Sequence, residues 1–319
     1  MRNRNRIFNF SFILMLFIPG IVGQHDNIIE TDNSKADEYK LVWEDNFNGP
    51  KLNEANHWNI IINGKGGGNR ELQYYKRSNI EIGNEPVSGE NCLIISAKKE
   101  NYLFNKFTSG KISSQNKVSF KYGKIEARIK VPKTANGLWP AFWLLGSDNP
   151  KAVWPKCGEI DIMEMGNNNG IIQGKQDRFF NGACHWGEKF NHGKYPNYAR
   201  STVNPYCLQD GFHLYTLIWD QKALKMYVDL DKHPDADPYF EMPITGNDVP
   251  NNVAHYFHKQ YFIVFNLAVG GNYTGILDVN KITALKEGEA KMYVDYVKLY
   301  QKGVPGEELI ISKTLIKGL

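Results

Sequence analysis

GEIDIMEMG, Gly158 to Gly166, places three carboxylates within six residues of an otherwise apolar run. Alternate side chains of a strand share a face, so Glu159 and Asp161 point the same way and Met163 is next in line. Glu164 is one residue out of step. A β-bulge at Ile162 or Met163 absorbs the extra residue and resets the register, bringing Glu159, Asp161 and Glu164 to one side with Ile160 packed beneath. Bulges of this kind are over-represented beside active sites.

Three acids this close repel one another, so their protonation is pushed apart. Such a site holds an acid and a base together. Retaining glycoside hydrolysis requires that pairing, with one carboxylate as nucleophile and the other protonated to donate to the leaving oxygen, roughly 5 to 5.5 Å apart. The competing account of an isolated E-x-D-x-x-E is an exposed acidic strand face or a calcium-binding edge. The surrounding residues decide between them.

GLWPAFWLLG, Gly137 to Gly146, sets Trp139 and Trp143 four residues apart around Pro140. Indole faces stack on the apolar faces of sugar rings, although a buried core role is the alternative for either residue alone. GACHWG, Gly182 to Gly187, alternates so that His185 lies opposite Cys184, and it follows the acids closely enough to be their neighbour. His185 is then either a structural hydrogen-bonder or a group that tunes the acids or holds a sugar hydroxyl. GGGNRELQYY, Gly66 to Tyr75, begins as a glycine-rich loop. It lacks the Lys-Ser or Lys-Thr and the helix of a phosphate loop, so Asn69, Arg70 and Glu71 read as polar groups at a cleft edge. NLAVGGN similarly brings Asn266 and two glycines to the end of an apolar strand.

The rest of the chain repeats one pattern: short runs rich in Val, Ile, Phe and Tyr, separated by Gly, Asn, Pro and Lys. In KYGKIEARIKV, Lys124, Glu126, Arg128 and Lys130 interleave with Ile125, Ala127, Ile129 and Val131, a strand with one wet and one dry face. One short helix is expected over Asn280 to Glu287. Many closely spaced strands without intervening helices mean an antiparallel sandwich or barrel. At 319 residues and 42% apolar content, the chain supports one substantial core.

Residues 1–23 read as an export signal, with Arg2, Arg4 and Arg6 ahead of an apolar core and with Gly20 and Gly23 as small residues before Gln24. Residues 24–38 are polar and aperiodic, a flexible leader. Removing the three arginines leaves a formal charge of about +1, with no basic-aromatic interleaving, so nucleic-acid binding is not indicated. No second long apolar run follows, so no stable membrane insertion is expected. In an exported chain Cys92, Cys157, Cys184 and Cys207 form up to two disulfides, and alternation argues against pairing Cys157 with Cys184. Residues 302–319 follow the last convincing strand, as an added edge strand or a loose tail.

EIDIMEM, GLWPAFWLLG, NRELQYY, YGKIEARIKVP, the His of GACHWG, NLAVGG and MYVDYVKLYQ occur in the order seen in glycoside hydrolase family 16. From about Val42 to Gln301 the chain resembles that family, and within it the laminarinases, endo-β-1,3-glucanases. The resemblance implies a concanavalin-like β-jelly roll over residues 39–301, two curved antiparallel sheets with a glycan cleft. It implies Glu159 as nucleophile, Glu164 as general acid/base and Asp161 as the acid that modulates both. Trp139 and Trp143 would line the donor side, Asn69, Arg70 and Glu71 the cleft edge, and His185 would lie beside the acids. Asn266 and Arg128 are further sugar-contact candidates. Family members often carry a structural calcium, for which Asp295 and Gly89 are the candidates here; no cofactor is implied for the chemistry.

Within that family the extra residue in EIDIME is the form of laminarinases and of several marine galactanases, whereas E-x-D-x-E is typical of lichenases and xyloglucan endotransglycosylases; this favours β-1,3-glucan as the partner of a monomeric enzyme. Cys184 and Trp186 replace the family's usual small residue and Tyr, so altered sugar contacts are expected there. The segment from Gly187 to Tyr206 is expected to reshape one end of the cleft. The alternatives are a same-family hydrolase of mixed-linkage glucan or of a galactan such as agarose, and a lectin-like module on the same sandwich. The acids argue against the lectin, since pure binding gives no return for three adjacent carboxylates.

Overall fold

The structure is a computed structural model that describes residues 38–189, 194–246 and 253–312. The expected export signal and nearly all of the leader lie outside the described residues. Two sheets of ten and nine strands face each other as a jelly-roll sandwich. Among the described residues the strand pairs are antiparallel, apart from Gln73–Tyr75 with Phe107–Ser109.

Alternation builds the core. In the strand Gly123–Lys130, Ile125, Ala127 and Ile129 are fully buried between the sheets, and the charged residues between them turn outward. The facing sheet contributes Phe142, Leu144, Ile160, Met165, Phe180 and Phe265 to the same cluster. Each such side chain stabilises the fold by ~1.5–3 kcal/mol relative to exposure.

The nine-stranded sheet carries the site. Its order runs from the edge strand Asn197–Val203 through the histidine strand Phe179–His185, the acid strand Glu159–Met165 and the tryptophan strand Leu138–Gly146. The asparagine strand Tyr261–Val269 and the short strand Lys111–Ser113 follow. The acid strand is therefore central, flanked on both sides by strands that present polar or aromatic residues.

Helix is scarce. The short helices Asn168–Ile172 and Val253–Phe257 were not legible as periodicity, being five residues each. Where the sequence predicts a helix over Asn280–Glu287, the structure has a single 3-10 turn, Val279–Lys281. Asp278 caps that turn through the Asn280 N–H, and Thr283 then pairs its N–H with the Asn136 carbonyl, pulling the chain out of the helix. The region after Gln301 contains a strand: Glu308–Ile311 pairs with Val118–Lys121 and extends the nine-stranded sheet. All four cysteines are free thiols, and Cys184 belongs to the core.

Candidate active site

The acid strand contains the bulge. Against the tryptophan strand, Phe142 pairs with Met163 and Trp143 with Asp161, so Ile162 has no counterpart. Against the histidine strand, Asp161 pairs with Ala183 and Glu164 with Asn181, so Gly182 alone opposes Ile162 and Met163. Two residues facing one restore the phase: Glu159, Asp161 and Glu164 all line one cleft, while Ile160 and Met165 stay in the core. Gly182 is needed there because a Cβ would lie 2.6 Å from Met226 Sδ. The bulged strand ends at Gly166, φ +91°, where a Cβ would meet the Leu138 carbonyl oxygen at 1.9 Å.

The cleft holds about 620 Å³, within the range of sites that enclose small ligands. Glu164 is its best-held acid. Trp139 Nε1 donates to one oxygen at 2.9 Å and Asn181 Nδ2 to the other at 2.8 Å. Asn181 is itself fixed by the Tyr273 hydroxyl, and Tyr273 stacks on Trp139 with ring centroids 4.5 Å apart. His185 Nε2 stands 3.1 Å from Asp161 Oδ2. Glu159, Asp161 and His185 each offer one donor atom, all within 4.8 Å of one another.

Burial and crowding set the protonation. Glu159 is pushed up to about 8, first by burial and then by Asp161, with Glu164 adding and His185 and Lys111 opposing. Burial raises Asp161 to about 8. Glu164 reaches about 8 through burial and Asp161, against the hydrogen bonds from Asn181 and Trp139 and the charge of His185. The cluster thus retains protons at neutral pH, where isolated carboxyls have lost theirs. It can supply a proton and a carboxylate at once.

This arrangement costs stability. The folded pKa of Asp161 lies above its unfolded value, so the carboxyl's contribution is fully present below about pH 4 and is lost as pH rises through about 8. Asp161→Asn is accordingly expected to raise the thermal midpoint at pH 8 by ~2–6 °C. The gain should shrink towards zero as the pH falls to 4. Calorimetry at both pH values checks this, and an equal gain at both would refute the electrostatic cause.

The other expected residues fall into two groups. Trp139, Trp143, His185, Asn69, Glu71 and Asn266 line the cleft. Trp143 Nε1 donates to Asn266 Oδ1 at 2.7 Å, and Glu71 accepts from Gln73 Nε2 and the Tyr75 hydroxyl. The glycine-rich loop is tied to the end of the asparagine strand: Leu72 N–H donates to the Val269 carbonyl and Asn272 N–H to that of Asn69. Arg70, at φ +58°, is exposed and turns out of the cleft lining.

Arg128 requires correction. It lies on the ten-stranded sheet, where Nη1 pairs with Glu90 at 2.7 Å and Asp295 at 2.6 Å, so it takes no part in the cleft. Its partner bears on the expected calcium. Calcium takes six to eight oxygens, but the Asp295 carboxylate faces a guanidinium and the Gly89 carbonyl accepts from Asn84 Nδ2 at 2.7 Å. These residues do not fit the ion. Cys184 and Trp186 are also corrected: both turn to the core, where Trp186 packs edge-on against Phe257, so neither replacement touches the sugar side.

Several cleft residues escaped the sequence reading: Asn181, Tyr273, Tyr195, Trp154, Tyr75 and Lys111. Asn181 was within reach, since it shares a strand face with His185 four residues on. The others arrive from separate loops and strands. Tyr195, Ala199 and Ser201, from the segment after Gly187, line the cleft.

The family model for glycosyl hydrolases family 16 matches residues 62–239. The chain belongs to this family. Curated family relatives include a beta-glucanase of Rhodothermus marinus, 32% identical, with 86% of this chain and 90% of the relative covered. A glucan endo-1,3-beta-glucosidase A1 of Niallia circulans is 30% identical over 89% of this chain and 41% of its own length. The chain spans about two fifths of the length of two of the curated relatives that it matches. Among solved structures, a Bacteroides ovatus mixed linkage glucan GH16 in complex with a G4G4G3G product aligns with a TM-score of 0.70 at 39% identity. That alignment covers 81% of this chain and 99% of the other. The family 16 chain described here is thus a glycoside hydrolase with a jelly-roll fold.

Proposed function

We propose that this family 16 chain cleaves internal β-1,3-linkages of β-glucans with net retention of configuration. The observation that carries the reading is the bulged strand, which holds Glu159, Asp161 and Glu164 on one wall of an open cleft. Glu159 attacks the anomeric carbon. Glu164 protonates the departing oxygen and then, as a carboxylate, takes a proton from the water that hydrolyses the glycosyl-enzyme. Trp139 and Asn181 keep Glu164 in place through both steps, and each of its oxygens retains a lone pair for the transferred proton. Asp161, with His185 beside it, modulates the charge of the pair.

Mixed-linkage β-1,3/1,4-glucan is a second substrate, favoured by the 39% identity to the Bacteroides ovatus structure. A galactan would be the outlying outcome. The reaction needs no cofactor in this scheme. The N-terminal segment is read as an export signal and the enzyme as a secreted monomer; among the described residues no helix is long and apolar enough to cross a membrane.

Reducing-sugar release from laminarin, barley glucan, agarose and carboxymethylcellulose tests the assignment. Laminarin and barley glucan are expected to be cut, with the β-anomer appearing first by proton NMR. Release from agarose alone, or initial α-anomer, would overturn it.

A further inference from the structure

His185 and Asp161 stand close without being bonded. His185 lies directly opposite Glu159 across the strand pair, and Asp161 is the next residue on the face of Glu159, so one imidazole meets two carboxylates. Nε2 of His185 and Oδ2 of Asp161 are 3.1 Å apart, yet that oxygen has no hydrogen-bond partner among the described residues. Nδ1, on the other side of the ring, has none either. Asp161 is 5% exposed, and its Oδ2 is sealed from solvent. Burying a polar atom unbonded is costly. An ion pair that served only to hold the imidazole would direct an N–H at this oxygen.

The same three atoms suit a metal ion. Ligands held at about 2.0–2.2 Å from one zinc ion stand roughly 3–3.5 Å from each other, the separation that His185 and Asp161 already have. Glu159 brings the third donor atom within 4.8 Å of the other two, and rotation of its side chain closes the difference. Trp154 and Tyr195 flank the imidazole, with ring centroids 6.3 and 5.5 Å away. Glu164 stays apart, since Trp139 and Asn181 hold its two oxygens. Three protein ligands and a position open to the cleft remain. Two carboxylates balance a divalent charge, and the imidazole selects zinc or its transition-metal neighbours over magnesium and calcium, which take oxygen ligands.

We infer that Glu159, Asp161 and His185 form a binding site for a divalent transition-metal ion such as zinc, which inhibits the enzyme by occupying its nucleophile. The ion takes the lone pair with which Glu159 attacks and lies where the sugar must approach, so metal and glucan exclude each other. The inhibition rests on the glucan-hydrolase reading; the binding does not.

Calorimetric titration of the metal-free protein with zinc chloride tests the site. One ion per chain is expected to bind at it. Asp161→Asn and His185→Phe should each weaken that binding by more than the ~10–100-fold typical of losing a group that merely orients a ligand. His185→Phe keeps a ring between Trp154 and Tyr195. If it fails to fold, Asp161→Asn, which relieves repulsion, carries the test alone. Zinc sites elsewhere on the chain would survive both changes. In wild type, zinc at ten times its Kd should raise the apparent KM for laminarin about 11-fold and leave kcat unchanged. Magnesium and calcium at the same concentration should do nothing. Absence of zinc binding, binding undiminished in the variants, or inhibition of kcat alone would overturn the proposal. A protein that binds zinc through these residues but cuts neither laminarin nor barley glucan would refute the hydrolase reading instead.

Discussion

Glu159→Gln is expected to abolish turnover of laminarin, lowering kcat on the order of 10^5-fold, the scale seen when a covalent nucleophile is removed. An amide matches a carboxylate in shape but cannot attack the anomeric carbon, so no glycosyl-enzyme forms. The fold should survive. Glu159 is held near pH 8 by burial and by Asp161, and an uncharged replacement removes repulsion rather than a favourable contact. The variant should melt at or above the wild-type temperature and still bind laminari-oligosaccharides in calorimetric titrations. Activity within tenfold of wild type in the folded variant would show that another group is the nucleophile.

Glu164→Ala separates the second role. On polymer, loss of the general acid should lower kcat by ~10^2–10^4-fold, the contribution typical of positioned proton transfer. On an aryl β-glucoside oligomer with a good leaving group, the first step needs no proton. Glycosylation should then proceed and the covalent intermediate should accumulate, because no base remains to activate water. Added azide needs no base and fits the space that the carboxylate leaves, so it should restore turnover and yield a β-glycosyl azide. An α-azide would mean that Glu164 is the nucleophile. No rescue, with polymer activity unchanged, would mean that the proton comes from elsewhere. Trp139 and Asn181 would remain in Glu164→Ala with their donors unmet, so a modest loss of stability is expected beside the kinetic one.

Much of this site is local in the chain, and that part was legible. Glu159, Asp161 and Glu164 sit on one strand, so period-two alternation plus one inserted residue predicts both their common face and the bulge. Trp139 and Trp143 share a strand face for the same reason, and Asn181 follows from His185 by that rule. Arg128 marks the limit of alternation: its wet face was read correctly, but a strand's own pattern does not say which of two sheets holds it. Asp295 became the partner of Arg128 through a strand pairing, Tyr296 with Arg128, that joins positions 168 residues apart.

The amino-acid order by its local pattern narrowed the class to an antiparallel sandwich or barrel and determined the acidic strand with its bulge and the aromatic wall beside it, because each depends on neighbours within one strand. Only the tertiary structure decided that Tyr273 braces Asn181, that Lys111 lies against Trp143, that Tyr195 lines the same cleft and that Arg128 is excluded. Those outcomes depend on which strands lie side by side and on which sheet face each loop returns to. They are settled by burial across the whole core, and no local period encodes them.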